Sequence, residues 1–345
     1  MNIREVARLA KVSTATVSRT INGSDKVTPK TKERVQRAIE ELKFYPNTWA
    51  RALGSGRSSL YGLIISDITN PFFPELVKSF EDMAVQHGQE VLVANTNYDP
   101  ARMEVCVSRM LQRKVDGVAI MTSEMDEHLI TELESREIPL VFLDTGTVRE
   151  LASNIVVDYA AGVVAALEHV TSLGHANIAF LAGPETLRSA HIRREAFEQC
   201  MRHKRLDASL IEQANHQVDG GHEAMERLLR GRHKPTAVVA SNDMTAIGAL
   251  GAIHESGLRV PEDISIVGFD DIALSAFTQP ALTTVKLSRA EIARLAFRAL
   301  YSSRMDGSAG AEYTVQPTLV VRQSTGPVPL RSASRWVAPH SAPDR

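Results

Sequence analysis

The sequence has few cysteines and no long hydrophobic run. Cys106 and Cys200 are the only cysteines in 345 residues, and neither lies in a CxxC or Cys/His spacing. No apolar run approaches the roughly 18 residues that a membrane span needs, and the first residues lack the apolar core of a signal peptide. We therefore expect a cytoplasmic protein with no membrane partner, whose cysteines are small buried side chains in a reducing compartment.

Catalytic and metal-binding motifs are missing as well. The chain contains no GxxxxGK[ST] and no GxSxG, and the GSGRSS that begins at Gly54 lacks the third glycine of a dinucleotide loop. In the HEAME that begins at His222, Glu226 stands where HExxH requires a second histidine. We expect no enzyme activity, no metal and no cofactor.

Net charge is also small, but it is unevenly distributed. The whole chain has a formal net charge of -2, of which residues 1–57 carry +7 and the remainder -9. A basic head on an acidic body indicates a polyanionic partner for the head, and solvated charge on a small domain is the alternative.

The first 46 residues predict three short helices around one small core. Asn2 and Glu5 form a capping-box pattern, Ser13 can cap the second helix, and Pro29 suits the first position of the third. Apolar residues recur at helical spacing in these segments: Ile3, Val6, Ala7, Ala10, Val17, Ile21, Val35, Ile39 and Leu42.

The second helix has one face that the core does not need. An arginine on such a face can donate two hydrogen bonds to guanine O6 and N7 in the major groove, worth roughly 1 to 3 kcal/mol of discrimination. The alternative is a solvated face of a three-helix bundle. The residues of this face are Thr14, Ala15, Ser18, Arg19 and Asn22.

These segments carry a family resemblance. IREVARLAKVSTATVSRTIN followed by VTPKTKERVQRAIEELKFYPN resembles the DNA-binding head of the LacI/GalR family of bacterial transcription regulators, and the likeness continues over about residues 2–326. It implies that Thr14, Ala15 and Arg19 read bases, although other members carry a long polar side chain in place of Ala15. It also implies that four residues contact the DNA backbone: Ser13, Thr16, Ser18 and Asn22.

Residues 47–59 are predicted to form a hinge helix and linker. Only residues 47–54 can be helical, and a lone helix shorter than about 12 residues is marginal in water, so a flexible linker is the alternative. The resemblance implies that the hinge folds in the minor groove, where Asn47 and Ala50 contact DNA and Leu53 wedges between base pairs. Because two hinges must meet at one place, it also implies a homodimer on a near-palindromic double-stranded operator.

From Leu60 the chain alternates short apolar runs with amphipathic stretches, which predicts parallel βαβ units in two sheets. The resemblance implies a periplasmic-binding-protein-like body of two Rossmann-type lobes. Lobe 1 covers about 60–158 and 288–317, and lobe 2 covers about 159–287 and 318–326. We expect this body, 60–326, to bind an effector and to dimerise. Residues 327–345 are Pro- and Ser-rich without heptads, which predicts a disordered tail and no tetramer.

Open α/β sheets bind ligands at the carboxyl ends of their strands. Polar and aromatic side chains at those ends suit a small polyhydroxylated or heterocyclic ligand. For Asp67, Phe73 and Asp243 the alternatives are a backbone hydrogen bond, core packing and helix capping. By resemblance the effector-binding residues are Arg193 and Asp270 above all, then Phe72, Asp158, Ser189, His216 and Asn242. Leu187 stands where purine-responsive relatives use an arginine, which favours a sugar over a nucleobase.

The leading hypothesis is therefore a repressor whose operator affinity changes when a small molecule binds between the lobes. A cytoplasmic solute-binding protein with an accessory basic head is the second hypothesis. An enzyme that kept the two-lobed fold is the third, and it lacks a recognisable nucleophile or metal site.

Overall fold

The computed structural model describes residues 2–21, 24–44, 57–122 and 125–329. The head contains three helices, and each predicted start is confirmed. Asn2 and Glu5 close a full capping box, and Thr16 N donates to Ser13 Oγ at 3.1 Å. The helices are α1 (Ile3–Leu9), α2 (Thr14–Ile21) and α3 (Pro29–Glu41).

A small apolar core holds the head together. Val6, Val17 and Val35 are fully buried, one from each helix, as their spacing predicts. Arg34 lies on the outer face of α3, yet its Nη2 donates to Ala10 O at 2.6 Å and to Lys11 O at 3.1 Å. These carbonyls belong to the end of α1 and the turn that follows it, so Arg34 caps α1 and fixes the angle between the first two helices.

The body has two lobes, each with its own six-stranded sheet. The strands of lobe 1 are β1 (Leu60–Ile65), β2 (Glu90–Asn95), β3 (Gly117–Met121), β4 (Leu140–Leu143), β5 (Ala152–Val157) and β11 (Glu312–Val315). The strands of lobe 2 are β6 (Ile178–Ala182), β7 (Ile211–Gln213), β8 (Ala237–Ala240), β9 (Ser265–Asp270), β10 (Thr283–Lys286) and β12 (Thr318–Val320).

Helices cover both sheets. Those of lobe 1 are α4 (Phe72–Gln86), α5 (Pro100–Arg113), α6 (Glu127–Glu134) and α11 (Arg289–Asp306). Those of lobe 2 are α7 (Tyr159–Ser172), α8 (Arg188–His203), α9 (Val218–Arg230) and α10 (Asp243–Glu255), with a 3-10 turn at Ala273–Ala276. The two-lobed α/β body with a helical head agrees with the predicted fold class.

The strand order repeats from lobe to lobe. It is β11-β5-β4-β3-β1-β2 in lobe 1 and β12-β10-β9-β8-β6-β7 in lobe 2. Every pairing is parallel except β10 with β12, which is antiparallel. In each sheet the order reverses at the strand next to one edge, β1 or β6, and open α/β sheets form their ligand crevice at such a reversal.

Burial on both faces explains the apolar strands. All five residues of β3 and all five of β6 are buried, because helices cover both sides of a parallel sheet. In lobe 1, the Phe297 ring of α11 packs edge-to-face against Tyr61 of β1 at 5.4 Å and against Phe80 of α4 at 5.6 Å. Cys106 and Cys200 are buried free thiols, as expected.

The chain passes between the lobes three times, after β5, after β10 and after β11. Its C-terminal part stays attached to lobe 2, because Val328 N donates to Leu173 O at 2.9 Å. Lobe 2 therefore extends past the predicted boundary at residue 326. Asn22, Asn47, Ala50 and Leu53 lie outside the described residues, as does the remainder of the predicted tail. Among the described helices, none is both long and apolar enough to cross a membrane.

Candidate functional site

The second helix of the head presents the face that the sequence predicts. Thr14, Ala15 and Arg19 are exposed on α2, whereas Val17 of the same helix is fully buried. The Arg19 guanidinium makes no ion pair within the described residues. A short helix with a free arginine and small neighbours fits the major groove of B-form DNA.

The predicted backbone-anchoring residues lie at the start of the same helix. Ser13 Oγ and Thr16 Oγ1 are 2.9 Å apart, and Ser13 also accepts from the backbone N–H of Thr16. These hydroxyls hold the first turn of α2, and Ser18 of the same helix is half-buried. Phosphate oxygens bind well to such helix N-termini, since unpaired backbone N–H groups point outwards there.

The linker joins lobe 1 at a buried carboxylate. Ser58 N donates to Asp116 Oδ1 at 3.2 Å, and Ser59 N donates to Asp116 Oδ2 at 2.7 Å. Arg304 of α11 lies 3.4 Å from the same carboxylate. Asp116 therefore fixes the backbone of Ser58 and Ser59 where the linker meets lobe 1, and sequence reasoning did not single it out.

A cleft opens between the lobes at the carboxyl ends of their strands. Six of the seven predicted effector residues line it: Phe72, Ser189, Arg193, His216, Asn242 and Asp270. The seventh, Asp158, lies outside the lining. Its carboxylate caps α7 by accepting from Ala161 N at 3.0 Å.

Arg193 is the central charged group of the cleft. Its side chain comes from α8, and the residue is only 5% exposed. The guanidinium carbon lies 4.5 Å from the Tyr159 ring centroid and 4.3 Å from that of Phe269, so two aromatic faces hold the cation. Nη1 donates to Ser241 O at 2.5 Å, while Nε has no partner among the described residues.

Asp270 faces Arg193 from the end of β9. The two side chains approach to 3.7 Å between Nη2 and Oδ1. Burial raises the pKa of Asp270 to about 6, and Arg193 opposes this shift. Burial, together with Arg193, lowers the pKa of His216 to about 3, so His216 is neutral near pH 7. His216 contributes an imidazole whose Nε2 lies 2.8 Å from Ser241 Oγ.

Lobe 1 supplies groups to the cleft that the sequence analysis missed. Asp144 follows β4, accepts from Val157 N at 2.8 Å and from Tyr159 Oη at 2.7 Å, and has a pKa raised by burial. Thr122 follows β3, and its buried Oγ1 has no partner in the described part of the chain. Both residues stand at strand ends and both line the cleft, so the strand-end rule would have found them.

Several other predicted candidates have structural roles. Asn242 caps α10 through Thr245 N and donates to His216 O at 3.1 Å, so it supports the cleft wall. Asp243 is buried behind that wall, where Ser275 Oγ, Thr284 Oγ1 and Ile272 N donate to its carboxylate. Asp67 accepts from Thr69, as the backbone alternative predicts, and also from Gln217 Nε2 of lobe 2 at 3.2 Å.

Comparison with known proteins decides the family. Residues 2–47 match the family described as Bacterial regulatory proteins, lacI family, and residues 167–325 match the Periplasmic binding protein-like domain. The HTH-type transcriptional regulator DegA of Bacillus subtilis (strain 168) is 36% identical over 336 residues, which cover 94% of this chain and 98% of DegA. The chain belongs to the LacI family of bacterial regulatory proteins.

Solved structures of LacI-family proteins have the same architecture. The Lac repressor dimer bound to operator and the anti-inducer ONPF matches with a TM-score of 0.84 and 29% identity, over 94% of this chain and 99% of that one. The complex of the transcriptional regulator CelR with cellobiose matches with a TM-score of 0.71 and 28% identity, over the same shares of the two chains. This LacI-family chain is thus a DNA-binding transcriptional regulator, and its relatives are regulators rather than enzymes. Within the described residues, no group of three or more His, Cys, Asp or Glu could hold a metal ion.

Proposed function

We propose that this LacI-family protein is a repressor whose operator affinity is changed by a small molecule bound in the cleft. The observation that carries the proposal is a pair of buried groups that have no hydrogen-bond partner among the described residues, Thr122 Oγ1 from lobe 1 and Arg193 Nε from lobe 2. A ligand that satisfies both groups must bridge the lobes. Leaving such groups unsatisfied costs about 1 to 3 kcal/mol each, so binding and lobe closure favour one another.

The ligand is a small polyhydroxylated molecule, sugar or sugar-derived. Carboxylates at Asp144 and Asp270, with hydroxyls at Thr122 and Ser189, can accept from or donate to several ligand hydroxyls, while Phe72 covers an apolar side. The CelR complex, with cellobiose bound in a related two-lobed protein, supports this class. Leu187 lines the cleft as an apolar side chain, which gives a nucleobase no ionic partner there.

The protein acts as a homodimer on a near-palindromic operator. An apolar patch on lobe 2 supports self-association, since Leu274 is 53% exposed and Phe277 is 81% exposed. Each head places Thr14, Ala15 and Arg19 in the major groove of one half-site. The hinges meet at the operator centre, where Asn47 and Ala50 contact the minor groove and Leu53 separates the central base pairs.

Coupling runs from the cleft to the hinge through the lobe angle. A ligand that changes this angle moves Asp116, which holds the backbone of Ser58 and Ser59, and so changes the spacing of the two hinge starts in the dimer. A coupling free energy of about 1 to 3 kcal/mol changes operator affinity roughly 5- to 150-fold.

The test has two stages. A duplex operator is first selected from a random pool by the full-length protein, and ligands are screened by thermal shift on wild type and Asp270→Ala. The selected duplex is then titrated with and without a compound that stabilises wild type alone. The proposal predicts that operator affinity changes in the presence of that compound, and an unchanged affinity contradicts it.

A further inference from the structure

An ion pair outside the ligand cleft, formed by a buried arginine and a half-exposed glutamate, joins the two lobes. Glu75 is on α4 and Arg289 begins α11, so both belong to lobe 1, and they are 214 residues apart in the sequence. Arg289 Nε donates to Glu75 Oε2 at 2.6 Å. Neither residue is among those that line the cleft.

The remaining polar groups of the pair bind the backbone of lobe 2. Arg289 Nη1 donates to Asp270 O, and Nη2 donates to Asp271 O at 2.6 Å. The second carboxylate oxygen of Glu75 accepts from Ala273 N at 3.2 Å. One ion pair from lobe 1 thus forms three hydrogen bonds to a single short segment of lobe 2, at 270–273.

That segment has unusual backbone geometry. Asp270 has φ of +112° and Asp271 has φ of +55°, a region that residues with a side chain seldom adopt. Such conformations cost of order 1 to 3 kcal/mol each and persist where the surroundings fix them. The Arg289 guanidinium donates to the carbonyl oxygens of both Asp270 and Asp271, and Arg322 Nη2 donates to Asp271 Oδ1 at 2.6 Å. The geometry of Asp270 therefore depends on a residue of the other lobe.

The position of Arg289 on its helix is unfavourable by local rules. A cation at the first residue of α11 faces the positive end of the helix dipole, which costs a few tenths of a kcal/mol or more. The side chain is also 10% exposed, so most of its hydration is lost. The contacts to Glu75 and to lobe 2 compensate for both costs, which indicates that the arginine is used for these contacts.

We propose that the Glu75–Arg289 pair is an inter-lobe tie that sets the lobe angle and positions Asp270 in the cleft. This inference rests on the proposed function, because Asp270 is the residue of the proposed ligand site that the ion pair positions. Arg289 directly follows the second passage of the chain between the lobes, so a small change at this contact becomes a rotation of one lobe relative to the other. Phe72 of the cleft lies one turn before Glu75 on α4, which links ligand contact to the tie.

The test measures the lobe angle directly in the full-length dimer. Spin labels are attached through Glu104→Cys on lobe 1 and Glu223→Cys on lobe 2, both exposed, in a background with Cys106→Ala and Cys200→Ala. Labelled protein is diluted into excess unlabelled protein, so that double electron–electron resonance reports distances within one subunit. The tie predicts a single narrow distance distribution for the parent protein, and a shifted or broadened one for Arg289→Gln and Glu75→Gln.

Two further variants separate the tie from a general structural effect. Arg289→Lys keeps a charge for Glu75 but cannot span the two carbonyls, so its distribution falls between the parent and Arg289→Gln. Arg294→Gln removes an exposed ion pair with Glu291 on the same helix and leaves the distribution unchanged. In addition, hydrogen exchange at residues 270–276 is faster in Glu75→Gln, since Ala273 N–H loses its charged acceptor.

An unchanged distribution in the Gln variants, or the same change in Arg294→Gln, overturns the tie. If Arg289→Gln does not fold, Glu75→Gln decides alone, because Glu75 is half-exposed and Arg289 keeps its hydrogen bonds to the carbonyls of Asp270 and Asp271 in that variant. Operator selection by the parent protein is a separate readout. Failure of that selection rejects the proposed function, whereas an unchanged lobe distance rejects only the tie.

Discussion

Arg193 Nη2 lies 3.7 Å from Asp270 Oδ1, inside a cleft where the two residues are 5% and 6% exposed. Arg193 is therefore the main counter-charge of the Asp270 carboxylate. Removing one partner of such a pair leaves a buried charge without compensation, which costs more than removing both.

Arg193→Met should destabilise the protein by about 3 kcal/mol or more, because ionised Asp270 then lacks its cation. The double variant Arg193→Met with Asp270→Asn should be more stable than the sum of the single losses, with an interaction energy of about 0.5 to 3 kcal/mol. Urea unfolding of the four proteins measures this. Strictly additive losses would show that the pair is not coupled.

Thr122→Val should weaken ligand binding without weakening the fold. The hydroxyl has no partner in the described protein, so its loss leaves the free energy of unfolding unchanged or slightly higher. A hydrogen bond to ligand is worth about 0.5 to 1.5 kcal/mol, so affinity for the screened ligand should fall about 2- to 12-fold by calorimetry. Thr131→Val, exposed in the same lobe, is the control. Equal affinities for Thr122→Val and wild type would remove Thr122 from the site.

Asp270→Asn should change the pH dependence of stability in one direction. The folded pKa of about 6 lies above the ordinary value of about 3.9, so the folded state holds this proton more tightly than the unfolded state does. The contribution of Asp270 to the free energy of unfolding of the wild type therefore decreases as pH rises from about 4 to about 6. Asp270→Asn does not titrate there, so its stability does not show this decrease. Asp243, whose pKa burial and then Asp270 raise to about 7, shifts in the same sense.

The measurement is the free energy of unfolding of both proteins between about pH 4 and pH 7.5. The difference, variant minus wild type, should increase with pH and level off above pH 7. Arg193, Arg289, Asp144 and His216 also face or adjoin this carboxylate, and they are identical in the two proteins. A difference that is flat or decreases with pH is the contrary result.

Asp116→Asn should reduce allosteric coupling while sparing ligand affinity. An amide keeps one acceptor for Ser58 or Ser59 but cannot hold both backbone N–H groups and Arg304. The backbone of Ser58 and Ser59 is then held less firmly, and we expect the coupling free energy between ligand and operator binding to fall by about 1 kcal/mol. Operator titrations with and without ligand measure it. The control is Asp82→Asn, which removes an exposed ion pair on α4 and should keep the full coupling free energy. Full coupling in Asp116→Asn would show that the contact between Asp116 and the linker has no role in allostery.

How far the sequence predicts the structure depends on how local the cause is. The helix starts at Asn2, Ser13 and Pro29 depend on residues within one turn, and all three are confirmed. The strand-end rule placed Arg193 and Asp270 among several candidates, and the family resemblance singled them out. The same rule applied to β4 would have predicted Asp144.

Other features depend on contacts that no local pattern encodes. The pairing of Glu75 with Arg289 joins residues 214 positions apart, and the role of Arg34 as a cap for α1 needs the packing of α3. Asp158 shows the opposite case, since a strand-end carboxylate can serve the adjoining helix instead of the cleft. Helix capping and ligand binding use the same residue types at the same positions, so the structure is needed to separate them.

The most direct test of the account is a salt titration of full-length wild type and Arg19→Gln on the selected duplex and on a scrambled duplex. We predict that wild type binds the selected duplex about 10³-fold tighter or more, with a log-log salt slope steeper than about -5 from roughly -0.9 per phosphate. Arg19→Gln should lose about 1 to 3 kcal/mol on the selected duplex and far less on the scrambled one. Equal wild-type affinities for the two duplexes, or no dependence on salt, would contradict sequence-specific DNA recognition by this head.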